Sequence, residues 1–183
     1  MKQLLLSLFL ITGLFFSAAA QQQDVKYKVS IGGEYLTAAG ASAEYLGSGY
    51  GASIQGEYNL LPKLNVTVSA AYLSLGVAKL YKEIYEPWYE TKFSNAVYYP
   101  VKAGAKYFFY KNFYAAAEGG ASITKVEGKS TLFIYTGALG STFKISPKSS
   151  LDLAVRYETW ALSVNARDTF LGIRAAYAFG FGK

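Results

Sequence analysis

The 183-residue sequence contains no cysteine and no histidine. Without cysteine there is no disulfide framework, no thiol chemistry and no attachment point for an N-terminal lipid. Histidine is the commonest general base and the usual partner of a nucleophilic serine, so its absence removes the hydrolases and acyl transferases that depend on it. Transition-metal sites built from His or Cys go with them, and no cofactor is expected. Paired carboxylates could still hydrolyse a bond if held a few ångströms apart, but the acids here are better accounted for as ion-pair partners. The glycine-rich pieces at 47–51 and 137–140 lack the following helix and lysine of a phosphate loop, so they read as loop and close strand packing. Long apolar runs are also scarce. The one at residues 4–16 is shorter than the ~20 residues a spanning helix needs. It follows a basic Lys2 and precedes Ala18-Ala19-Ala20, so residues 1–20 read as a cleaved secretion signal and residues 21–183 as the folded domain.

Tyrosine, glycine and alternation are abundant. There are 17 Tyr and 18 Gly, which suits strands, tight packing and membrane interfaces better than helices. The formal charge is +6, but Lys and Arg are interleaved with Asp and Glu, which argues against a nucleic-acid partner. Period-two alternation predicts eight strands, at about 26–36, 50–60, 64–74, 97–108, 113–124, 131–145, 150–158 and from 169 to the C-terminus. In the last of these, Leu171, Ile173, Ala175, Tyr177, Phe179 and Phe181 fall on one face, and small residues with Arg174 on the other. Pro100 weakens the expectation for the start of the fourth strand, because it cannot donate a ladder hydrogen bond.

The links between strands alternate long and short. With no spanning helix, a membrane-embedded chain must close its strands into a barrel. The fold class expected is therefore all-β, an eight-stranded antiparallel up-and-down transmembrane barrel with short periplasmic turns, longer outer loops and both termini in the periplasm. Aromatics on the apolar face recur at eight-residue spacing: Tyr27 and Tyr35, Tyr50 and Tyr58, Tyr99 and Tyr107, Tyr135 and Phe143, with Phe179 in the closing strand. Eight steps of ~3.4 Å at ~40° tilt span roughly 20 Å, close to the ~25 Å apolar band between the two aromatic girdles of such barrels.

Residues 98–119, residues 151–158 and the ending Tyr177-Ala178-Phe179-Gly180-Phe181 carry a resemblance over essentially the whole mature chain. It resembles the small outer-membrane β-barrel family, the porin-like eight-stranded group. The resemblance implies a bacterial outer-membrane location, contact with outer-membrane lipid, and recognition of the C-terminal strand by the barrel-insertion machinery. It implies no particular activity. One departure is that Gly182-Lys183 runs past the terminal aromatic at which many members stop.

Two sets of residues are candidates for function. The polar face collects Lys28, Glu34, Glu57, Lys102, Lys106, Glu118, Lys144, Asp152, Arg156, Glu158 and Arg174. An eight-stranded interior is just wide enough to be filled by side chains, so these near-balanced charges are expected to pair, either as a salt-bridge core or as the lining of a narrow solute path. The link at 75–96 carries Tyr81, Tyr85, Trp88, Tyr89 and Phe93 among alternating charges, a composition typical of contact surfaces. It reads either as a protruding aromatic hairpin or as a lid over the barrel mouth, with an extracellular protein or surface as partner. The overall expectation is a non-enzymatic envelope protein acting in structure or surface interaction. The alternative is a porin-like transporter of small solutes or apolar ligands.

Overall fold

The computed structural model describes residues 25–89, 92–124, 130–161 and 166–182. The expected signal at 1–20, the lead-in at 21–24, the link residues 90–91, 125–129 and 162–165, and Lys183 lie outside the described residues.

Eight strands follow one another as β1 (Tyr27–Ala38), β2 (Leu46–Leu61), β3 (Leu64–Val77), β4 (Ala96–Tyr110), β5 (Phe113–Thr124), β6 (Ser130–Ser146), β7 (Ser149–Ala161) and β8 (Arg167–Phe181). Each pairs antiparallel with its sequence neighbours, and β1 pairs with β8 from Tyr27↔Phe181 to Ala38↔Phe170, which closes the barrel. Closure leaves no free edge, so the strand N–H and C=O groups find partners within the sheet. Short turns after β2, β4 and β6 lie at the same end as both termini, here called the terminus end. The links after β1, β3, β5 and β7 define the opposite, long-link end.

The faces follow the period-two pattern. Ile31, Ile54, Val68, Val101, Leu139, Val155 and Ile173 are exposed on the outside, while their sequence neighbours Ser30, Ser53, Thr67, Lys102, Ala154 and Arg174 are buried inside. Val155 is 59% exposed and Ala154 7%, so one step along β7 crosses from outer surface to interior. Soluble monomers rarely expose so many large apolar side chains on one surface. This outward belt matches the lipid-facing band of transmembrane barrels.

Tyr27, Tyr35, Tyr50, Tyr99, Tyr107, Tyr135 and Phe179 are exposed on this belt, and Tyr58 and Phe143 are half-buried. Cross-strand contacts tie several of these rings together: Tyr27 lies 5.3 Å from Tyr58 and 5.8 Å from Phe181, and Tyr72 lies 5.7 Å from Tyr99. Such aromatic pairs across neighbouring strands stabilise a sheet by up to ~1 kcal/mol each.

β5 has the bounds the sequence suggests, and several other strands are longer, chiefly at the long-link end. β2 begins at Leu46 rather than 50, β3 continues to Val77, and β7 runs to Ala161. Pro100 does not end β4. It lies buried inside the strand, and the β3–β4 ladder is interrupted beside it between Ala70↔Val101 and Leu73↔Tyr98, where a backbone donor is missing.

The described part of the link at 75–96 does not continue the strands as a hairpin. It folds into helix α1 (Lys79–Tyr89), none of whose residues is buried. Its side chains recur at positions 80, 84, 88 and 81, 85, 89, a helical rather than an alternating period. Pro87 falls in the last turn, where the helix is about to end.

Candidate functional site

The interior charges form one connected network at the middle of the barrel. It joins Lys102, Lys106, Arg156 and Arg174 with Glu34, Glu57, Glu118, Asp152 and Glu158. Arg156 is the hub. Its Nη1 donates to Glu34 Oε1 and its Nη2 to Glu118 Oε2, both at 2.9 Å, and Nη2 lies 3.4 Å from Glu158 Oε1. β1, β5 and β7 are thereby joined across the lumen. Lys102 Nζ donates to Glu158 Oε1 at 2.7 Å and to Thr136 Oγ1 at 3.3 Å. Nearer the terminus end, Lys106 bridges Glu57 and Asp152. Arg174 connects the two halves, 3.6 Å from Glu34 and 3.9 Å from Asp152.

Neutral donors complete Glu118, Glu57, Glu158 and Asp152, while Glu34 is held by Arg156 and Arg174. Gln55 Nε2 and Thr67 Oγ1 both donate to Glu118 Oε1 at 3.1 Å. Asn65 Nδ2 donates to Glu57 at 3.0 Å, and Trp160 Nε1 to Glu158 at 3.0 Å. Asp152 accepts from the Tyr114 hydroxyl at 2.6 Å and from Thr142 at 3.1 Å. Arg174 spends its remaining donors on Ser53 and Ser30, at 2.9 and 3.0 Å. Buried ion pairs repay their desolvation only when the remaining lone pairs and protons are satisfied in this way.

The remaining two residues of the expected set lie toward the terminus end. Lys28 is buried with its Nζ 5.8 Å from the Phe108 ring, and among the described residues it forms no ion pair. Lys144 is half-buried near the terminus end of β6.

Above the network, toward the long links, the interior turns apolar. Leu36, Leu73, Leu75, Ile134, Trp160 and Phe170 form one buried cluster, with Tyr98 edge-on to Trp160 at 4.9 Å. Leu73 and Phe170 are recognisable in sequence as inward apolar groups. Leu36, Leu75 and Trp160 are not, because their positions read as strand end or link. Toward the terminus end, Tyr114 and Phe108 stack edge to face at 5.6 Å, and the Lys106 ammonium lies 4.2 Å from the Tyr114 ring centre. Gly140 makes room for this arrangement, since a β-carbon there would stand 2.4 Å from the Tyr114 ring.

A further latch was not legible in the sequence. The first link forms a 3-10 turn (Gly40–Glu44) that docks on the start of β8. Ser42 Oγ donates to Asp168 Oδ1 at 3.1 Å and accepts from the Thr169 N–H at 3.1 Å, and the Tyr45 hydroxyl also donates to Asp168. Donating to a carboxylate raises the Tyr45 pKa above its ordinary value, with burial adding to the effect.

On α1, Tyr81, Tyr85 and Tyr89 run along one face and meet Phe93. Tyr81 lies 4.3 Å from Tyr85 and 5.8 Å from Phe93, and Tyr89 lies 6.5 Å from Phe93. Glu86 Oε1 accepts from the Phe93 N–H at 2.9 Å. Trp88 stays outside this ring cluster, 85% exposed, in line with exposed Leu80 and Ile84. Tyr81, Tyr85, Tyr89 and Phe93 thus pack on one another, and Leu80, Ile84 and Trp88 form an exposed stripe beside them.

The closed eight-strand topology, the outward apolar belt and the ion-paired interior together define the fold of a small outer-membrane β-barrel. Solved structures bear the same architecture. Neisserial surface protein A superposes with a TM-score of 0.59 at 17% identity, covering 85% of this chain and 97% of that one. Ail, the attachment invasion locus protein of Yersinia pestis, gives 0.53 at 16% identity, covering 85% and 99%. OprG, an outer membrane protein of Pseudomonas aeruginosa, gives 0.54 at 14% identity, covering 88% and 99%. No protein-family model and no curated protein matches the chain.

Proposed function

We propose that the chain is a resident barrel of the bacterial outer membrane that conducts no solute and carries out no reaction, and that it serves envelope structure and surface contact. The observation that carries this reading is the Arg156 hub. Its guanidinium spans from β1 to β5 and β7 across the centre of the lumen, with the apolar Leu36–Trp160–Phe170 cluster closing the interior beyond it. A transporter needs a path with weak, successive sites, and here the middle of the interior is occupied by strongly paired side chains.

The short turns and both termini belong on the periplasmic side and the long links outside, following the pattern of such barrels. The barrel-insertion machinery would read the aromatic β8 ending at Phe181. The outward stripe Leu80–Ile84–Trp88 of α1 would then face the exterior as the contact surface for a protein or surface partner. One similar structure, Ail, is named for attachment and invasion, and a contact role of that kind suits an exposed aromatic helix. The lack of histidine removes His-based acid–base catalysis.

Planar-bilayer recording of the purified protein tests the reading. A silent bilayer is expected. Stable discrete openings would favour a narrow transporter instead.

A further inference from the structure

All three short turns carry one lysine each: Leu61-Pro62-Lys63-Leu64, Tyr110-Lys111-Asn112-Phe113 and Ser146-Pro147-Lys148-Ser149. Lys26, just before β1, adds a fourth at the same end. All four are exposed. Among the described residues none of these turns holds an acid, and the carboxylates nearest this end, Glu57 and Asp152, are buried and committed to Lys106. The long-link end is different: Lys79, Lys82, Lys92 and Arg167 are interspersed with Glu44, Glu83, Glu86 and Asp168.

Turn chemistry does not account for the lysine after β4. Tight turns favour Gly, Asn, Asp and Pro. At Lys111 the backbone takes φ 45°, a left-handed conformation that glycine or asparagine adopts at less cost. A lysine is held there against local preference. Two of the ammonium groups rest beside aromatic rings at the edge of the apolar belt. Lys26 Nζ lies 5.7 Å from the Tyr58 ring centre and Lys111 Nζ 5.3 Å from the Tyr110 ring centre, beside exposed Leu60, Leu61, Phe109 and Phe113. Lysines anchored on aromatics at the edge of an apolar belt lie at the level of lipid headgroups.

We propose that Lys26, Lys63, Lys111 and Lys148 form a ring that binds the phosphate groups of anionic phospholipids in the leaflet surrounding the terminus end. The proposal rests on the membrane reading above. Each ammonium near an anionic surface contributes attraction that falls off within a Debye length, so selection is strongest at low salt. The ring fixes the vertical position of the barrel and selects the lipids around it.

The test is electron spin resonance of spin-labelled phosphatidylglycerol and phosphatidylcholine around the protein refolded in phosphatidylcholine vesicles. About a two- to fivefold preference for phosphatidylglycerol is expected at low salt. It should vanish in the triple variant Lys63→Gln, Lys111→Gln, Lys148→Gln and survive in the matched triple Lys→Arg. It should also survive in Lys79→Gln, Lys82→Gln, Lys92→Gln, which removes the same charge from the other end. Replacing chloride by inorganic phosphate at equal ionic strength should leave the preference intact. Loss of the preference there would make the ring a free-phosphate site and overturn the lipid assignment. Equal selectivity of the wild type and the glutamine triple, in protein shown to be inserted, overturns the ring alone. A chain that fails to enter the vesicles overturns the membrane reading beneath it.

Discussion

Arg156 is where the interior is most exposed to a single change. Replacing it with Leu leaves Glu34, Glu118 and Glu158 facing one another without their shared cation. Breaking a buried pair by removing one partner costs about 3–5 kcal/mol, and Arg156→Leu is expected to lose that much in urea unfolding from lipid vesicles. Val155→Arg, one residue away but outward, should cost about 2–4 kcal/mol through lipid burial of the charge if the site lies near the bilayer midplane. Tyr45 gives a test by pH. Its pKa is raised because its hydroxyl donates to Asp168. The latch contribution is therefore fully present below the ordinary phenol value of ~10 and is lost as pH rises through the raised one. Asp168→Asn should return the Tyr45 titration toward normal, read by ultraviolet difference spectra. Residues of this kind divide by how local their signal is. Glu118 and Arg156 are legible because strand alternation alone assigns a face. Trp160, Ser42 and Asp168 are not, because their roles depend on strand extensions and on a loop that meets β8 only in three dimensions.

At the scale of elements, alternation placed β5 whole (Phe113–Thr124) and marked the central part of the other strands, but missed most of their ends at the long links. Beyond the apolar belt the outward residues become mixed, as at Thr37, Ser48 and Arg167, and the periodic signal fades while the ladder continues. α1 escaped for a different reason: Pro87 and the dense aromatics read as a turning hairpin, whereas the spacing 81, 85, 89 is helical and ties Tyr85 to Tyr89 at 6.4 Å. Because α1 buries none of its residues, replacing residues 79–92 with a Gly-Ser linker should change barrel stability by no more than about 0.5 kcal/mol. Binding of any surface partner should suffer instead. The turn after β4 behaves oppositely. Lys111→Gly relieves the left-handed φ and should stabilise the folded barrel by about 0.5–1 kcal/mol in urea titration.

For the molecule as a whole, one division organises the rest. Apolar side chains project from the barrel and charged ones project into it, so lipid, ion-pair network and closed sheet depend on each other. The absence of cysteine makes this division directly measurable, since any introduced thiol is unique. Val155→Cys and Ala154→Cys, each carrying a small fluorophore and refolded in vesicles of lipid brominated along its acyl chains, report the two faces of β7. Strong quenching at 155 and little at 154 is the expected result. Equal quenching at both positions, or quenching at 154 alone, would contradict the assignment of lipid to the apolar face.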